Sequence, residues 1–188
     1  MAKTVYLVGK GNGWDEIKSV PKGSIIYGVN DACLRTPEVT HTFHMHDLYN
    51  YGKDRVTESS TRLLKTHFEK YPEHKLYSIK RYSEFPMCEE YPLDEIIEYF
   101  NPPIAYFTSG PEYMMAWAIK EGFEEVYFYG LNMSVGKEYI DQKPGMEYWL
   151  GVMHGRGIKT YLQHEESSLM KSRDSKLYGY FINQWINY

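Results

Sequence analysis

Thr4-Val5-Tyr6-Leu7-Val8-Gly9-Lys10-Gly11-Asn12-Gly13-Trp14 is the stretch on which the fold turns. Its first five residues are the β-branched, aromatic and aliphatic types that suit a strand buried in a sheet. Three glycines at alternate positions follow, and they let the backbone turn sharply and let N–H groups approach an anion without a Cβ in the way. A helix entered directly from that turn points its positive end at the same anion, and Lys10 adds a mobile charge. The spacing is GxGxG, so it meets neither the GxGxxG dinucleotide fingerprint nor the GK[ST] of a P-loop. Glycines in a tight turn can also serve packing alone.

Working outward, short β-rich runs alternate with helical periodicity. The pattern predicts strands at Thr4–Gly9, Ser24–Val29, Thr40–His46, Lys75–Ile79, Ile104–Thr108, Glu125–Gly130 and Gly157–Leu162. It predicts helices at Asp15–Val20, Thr57–Lys70, Leu93–Phe100, Gly110–Glu121 and Pro144–His154. Such alternation implies βαβ units, hence an α/β, Rossmann-like, doubly wound and mainly parallel sheet with helices on both faces. Residues 80–92, with two prolines and mixed charge, read as a long loop, either a lid or a plain surface excursion.

Parallel sheets bind ligands at the carboxyl ends of their strands, so those ends hold the candidates. The second strand ends in Asn30-Asp31, about 20 residues past the glycine turn, where nucleotide-binding folds place a polar residue on ribose or base. The same two residues also suit a helix N-cap. The third strand ends in His44-Met45-His46-Asp47. Two histidines two apart on a strand share a face, which is metal-ligand spacing if Asp47 or another group joins them; the favoured reading is a polar cleft wall without metal, with His46 and Asp47 as acid–base candidates. Thr108-Ser109-Gly110-Pro111-Glu112 opens a helix with a Ser109/Glu112 capping box and offers hydroxyls and free N–H groups to a ligand. Gly122 closes that helix.

Length and composition bound the alternatives. A chain of 188 residues with 43% hydrophobic content suits a single domain, 1–188. A net charge of −4 with no basic tract argues against duplex nucleic acid as partner. No apolar run reaches membrane-spanning length, and the first residues lack signal-peptide character. Two cysteines, Cys33 and Cys88, without CxxC spacing suit a reduced cytoplasmic setting. The 19 tyrosines suit wet clefts and interfaces. The aromatic tail 177–188 packs either on its own domain or in a homodimer.

The segments "VGKGNGW … YGVND … FTSGPEYMMAWAIKEGFEEVYFYGLNM" resemble the bacterial family 42 sialyltransferases and proteins of the 6-hydroxymethylpterin diphosphokinase-like type. Small phage proteins of the same skeleton are similar in Glu138-Tyr139, Gln142, Pro144, Gly155–Ile158 and Leu177–Tyr180. The resemblance implies that Gly9, Gly11, Asn12 and Asn30 contact a nucleotide and that Thr108, Ser109 and Gly110 hold its phosphate or sugar. It implies further that Gly130, Leu131 and Asn132 line a base pocket and that Tyr139 supports a leaving phosphate. Two features depart from the family: there is no GHS histidine segment, and Asn132 replaces the acidic residue of GID.

Sugar transfer from a nucleotide donor requires a base for the acceptor hydroxyl, stabilisation of the departing phosphate and a dry pocket. Lys10, Gly13 and Asp31 complete the expected nucleotide site, and His46, Asp47, Glu138 and Asp141 are the candidate bases. No DxD pair stands near a strand end, so transfer without a cofactor or metal is expected. A Mg²⁺-dependent pyrophosphoryl transferase or nucleotide hydrolase, with Asp31 and Asp47 holding the metal, and a non-catalytic nucleotide binder are the alternatives.

Overall fold

The computed structural model describes residues 2–51, 56–136, 138–163, 165, 167–172, 176–179 and 182. Seven strands form one sheet: β1 (Thr4–Val8), β2 (Ile25–Val29), β3 (His41–His44), β4 (Lys75–Ser78), β5 (Cys88–Glu90), β6 (Glu125–Tyr129) and β7 (Lys159–Leu162). Their order is β5-β4-β3-β2-β1-β6-β7, and every pairing is parallel. The helices are α1 (Glu58–Lys70), α2 (Leu93–Phe100), α3 (Gly110–Lys120) and α4 (Lys143–Gly155).

Both faces of the sheet are apolar because successive side chains of a strand point opposite ways. Val5 and Leu7 of β1 enter one core with Tyr27, Phe43 and Tyr77. Val8 enters the other, with Ile26 and Leu76. The first core is closed by α3 with α2 and α4, and the second by α1 through Leu64 and Phe68. Met114, Met115, Ala116 and Ala118 of α3 are wholly buried, which is why that helix reads as apolar nearly all round.

Three expectations are corrected. Residues 104–108 form no strand: Pro102 and Pro103 precede them, Ile104 is 70% exposed, and Phe107 stacks on Tyr113 with 4.5 Å between ring centroids. The expected loop 80–92 supplies β5 instead. Its Tyr82 and Phe85 fill the second core, so it is neither a lid nor a plain excursion. A strand of three residues with two exposed glutamates carries too short a period to be read. The helix predicted at Asp15–Val20 is a 3₁₀ helix, Trp14–Ser19, ended by Pro21. Among the described residues no helix is long and apolar enough to cross a membrane. Most of the aromatic tail lies outside the described residues.

Candidate functional site

The glycine turn after β1 is shaped by contact with the turn after β6. Gly9 N–H donates to Tyr129 O at 2.8 Å and Gly11 N–H to Gly130 O at 2.9 Å. A Cβ on Gly9 would lie 2.3 Å from Gly130 O, and one on Gly130 would lie 2.8 Å from Gly11 O. The glycines are therefore required by backbone meeting backbone, and the Gly9 and Gly11 amides are already bonded rather than waiting for an anion. Gly13 takes φ +75°, and its absent Cβ leaves room for Gln163. The Gln163 amide donates to Gly13 O at 3.0 Å and accepts from Gly130 N–H at 2.9 Å, tying the ends of β1, β6 and β7 together. Asn132 Nδ2 adds a bond to Asn12 O at 2.9 Å. Gln163 escapes a motif search because a lone glutamine after a strand has no pattern.

At the end of β2, Asn30 adopts φ 55°, and its Oδ1 is buried without a hydrogen-bond partner. Asp31 occupies an N-cap position but makes no side-chain cap bond. Its carboxylate instead receives Lys10 Nζ at 2.6 Å. Burial pushes the Asp31 carboxyl up, but the hydrogen bond and charge of Lys10 outweigh it and hold the group below its ordinary value. Lys10 is thus paired with Asp31.

Strand β3 stops at His44, two residues earlier than expected. The His44 Nδ1–H donates to His46 O at 3.3 Å, which fixes the tautomer and leaves Nε2 as acceptor. Burial lowers the His44 pKa to about 4, helped by the charge of His46. Asp47 is engaged by another set of groups. Its carboxylate accepts from Lys80 Nζ at 2.8 Å, Tyr82 Oη at 3.0 Å and Tyr49 N–H at 3.1 Å, and Lys80 holds its pKa low. Among the described residues no group of three or more His, Cys, Asp or Glu is placed to hold a metal ion.

The start of α3 departs from a simple capping box. Ser109 is the N-cap without a side-chain cap bond. Glu112, wholly buried, accepts from Thr108 Oγ1 at 2.7 Å, from Ser109 Oγ at 3.0 Å and from Thr108 N–H. Burial raises its pKa against those hydrogen bonds. Gly145 lets α4 close over it, since a Cβ there would stand 2.3 Å from Glu112 Oε1.

These strand ends surround one cleft of about 600 Å³. Gly9, Lys10, Gly11 and Asn12 form one wall, Asn30 and Asp31 the next, and Thr108, Ser109 and Gly110 another. Gly130, Leu131 and Asn132 line it beside the Gly9–Asn12 turn they contact, and His46 and Glu138 are lining residues as well. Gly13 and Asp47 are not among the lining residues. Glu138 and Tyr139 belong to a π-helical turn, Glu138–Gln142, ahead of α4; the Tyr139 side chain lies outside the described residues. Ser60, in the first turn of α1, and Gln142 line the cleft as well, and only the capping pattern Thr57-x-x-Ser60 marks the former in sequence.

No protein-family model matches this sequence. No curated protein is similar to it in sequence. Solved structures are similar in fold. The sialyltransferase CstII from Campylobacter jejuni in complex with CMP-3FNeuAc superposes with a TM-score of 0.56 at 15% identity, over 93% of this chain and 88% of that one. The same enzyme with a trisaccharide acceptor and CMP gives 0.55 at 15% identity, over 93% and 89%. The chain has the fold of these sialyltransferases. Thiamine pyrophosphokinase from Bacillus subtilis is also similar, with a TM-score of 0.51 at 12% identity over 85% of this chain and 60% of that chain. At these identities the likeness establishes an α/β, Rossmann-like, glycosyltransferase-like fold.

Proposed function

We propose that the protein binds a nucleotide sugar in this cleft and transfers its sugar to an acceptor hydroxyl. The observation that carries the reading is the position of the cleft. It lies outside the carboxyl ends of β1, β2, β3 and β6, where the strand order reverses between β1 and β6 and where doubly wound sheets take nucleotides. The buried, partnerless Oδ1 of Asn30 supports it, since a buried polar atom is normally satisfied. The CMP complexes of the sialyltransferase of like fold agree with a nucleotide of this size.

In this reading Gly9 to Asn12, Asn30, Asp31, Thr108 to Gly110 and Gly130 to Asn132 form the nucleotide site. Gly13 acts through the turn it allows. Lys10 is the one lysine or arginine among the described lining residues, and it leaves Asp31 to meet the donor's phosphate. The base is drawn from His46 and Glu138, because Asp47 is engaged elsewhere. Tyr139 is proposed on the family resemblance to assist the departing phosphate. With no DxD pair in the sequence, transfer proceeds without a resident metal. A thermal-shift screen of CMP, CDP, UDP, ATP, GTP and their sugars, with and without Mg²⁺, tests this. Metal-independent stabilisation by a nucleotide sugar, with loss of its hydrolysis or transfer in His46→Ala or Glu138→Gln, is the expected result. Stabilisation that requires Mg²⁺ and ATP or GTP favours pyrophosphoryl transfer, and stabilisation without turnover in any arm favours a binder.

A further inference from the structure

Glu112 is the one wholly buried carboxylate among the described residues, and the transfer chemistry above gives it no task. It sits directly behind two cleft-lining hydroxyls. A carboxylate can only accept hydrogen bonds. With Thr108 Oγ1 at 2.7 Å and Ser109 Oγ at 3.0 Å, both hydroxyl protons point away from the cleft, into Glu112. What the two side chains present to a ligand is lone pairs.

The helix start behind them holds the same carboxyl. The first turn of α3 is where an anion would be stabilised by free N–H groups and the helix dipole. Glu112 lies in that turn, and its carboxyl receives the Thr108 N–H, one residue ahead of the N-cap Ser109. Pro111 removes one further donor from the same turn. A phosphate laid against these two side chains would face acceptor oxygens. The neighbouring wall is of the same kind: Asn30 Oδ1 lies beside Gly110, 3.9 Å from where its Cβ would stand, buried and without a partner.

Resting on the nucleotide reading, we infer that Glu112 sets the polarity of this wall and so assigns it to the hydrogen-bond-donating part of the nucleoside, its ribose hydroxyls or exocyclic amine. The phosphate is left to Lys10, the one lysine or arginine among the described lining residues. Glu112 is a specificity-determining residue that acts through Thr108 and Ser109.

Matched probes separate the two placements. Cytidine and CMP are titrated calorimetrically into the wild-type protein and Ser109→Ala, with the uridine, adenosine and guanosine pairs run alongside. Ser109→Gly serves as a second variant, since glycine is an accepted N-cap. Loss of one acceptor weakens nucleoside and nucleotide by the same factor, about three- to tenfold. In Glu112→Gln the amide donates to one hydroxyl and turns that proton into the cleft, so cytidine weakens while the ratio of CMP to cytidine affinity rises. A Ser109 variant that weakens CMP and leaves cytidine unchanged overturns the inference by placing phosphate on this wall, and so does one that changes neither. Failure of the wild-type protein to bind any probe is a different result and defeats the nucleotide reading itself.

Discussion

His44 shows how one buried side chain at a strand end couples the site to pH. Its ring is 4% exposed, and its Nδ1–H is held by a backbone carbonyl. Burial disfavours the imidazolium, which brings the folded pKa to about 4 against an unfolded value of about 6.5. The unfolded chain therefore takes up the proton first, so stability is full above about pH 6.5 and falls as pH drops toward about 4. His41 and His67, also lowered by burial to about 4, add to the same window. Urea unfolding across that range is expected to give a declining midpoint, with a shallower decline in His44→Gln; equal slopes for the two proteins refute the assignment. Sequence spacing located His44 and His46 together but assigned them to one strand face, because the hydrogen bond that ends β3 joins two residues of ordinary composition.

At the scale of elements, the turns after β1 and β6 behave as one unit. Gly9, Gly11 and Gly130 meet backbone to backbone, and Gln163 pins both turns from the end of β7. Gly9→Ala would press a methyl to 2.3 Å from Gly130 O and 2.6 Å from Leu131 Cδ2, and neither backbone can yield without shifting the cleft wall. The expected cost is about 1–3 kcal/mol, read as a lower unfolding midpoint, whereas unchanged stability shows that the turns are not in register. The glycine spacing marked the right place in the sequence for a different reason. It signals the close approach of a second strand end rather than amides held open for a ligand. Elements with long periodicity, α1, α2, α3 and α4, were legible within a residue or two. β5 was not, and the apolar run 104–107 imitated a strand because its aromatic residues pack on α3 and α4 rather than in a ladder.

At the scale of the whole molecule, the loops at one end of the sheet meet around the cleft described above. Alternation of strand and helix in the chain gave the parallel sheet, and the parallel sheet brought Gly9–Asn12, Asn30, Ser109 and Gly130 together although 121 positions separate the outermost of them. The polarity of the walls was invisible in sequence, since it depends on which carboxylate each hydroxyl and amine meets: Glu112 behind Ser109 and Asp31 beside Lys10. The central claim is that this cleft holds a nucleotide. Titration of CMP into ¹⁵N-labelled protein, followed through the backbone amide resonances, tests it most directly. Saturable shifts concentrated at residues 9–13, 30–31, 109–110 and 130–132 are predicted; no shifts, or shifts confined to another face of the sheet, contradict it.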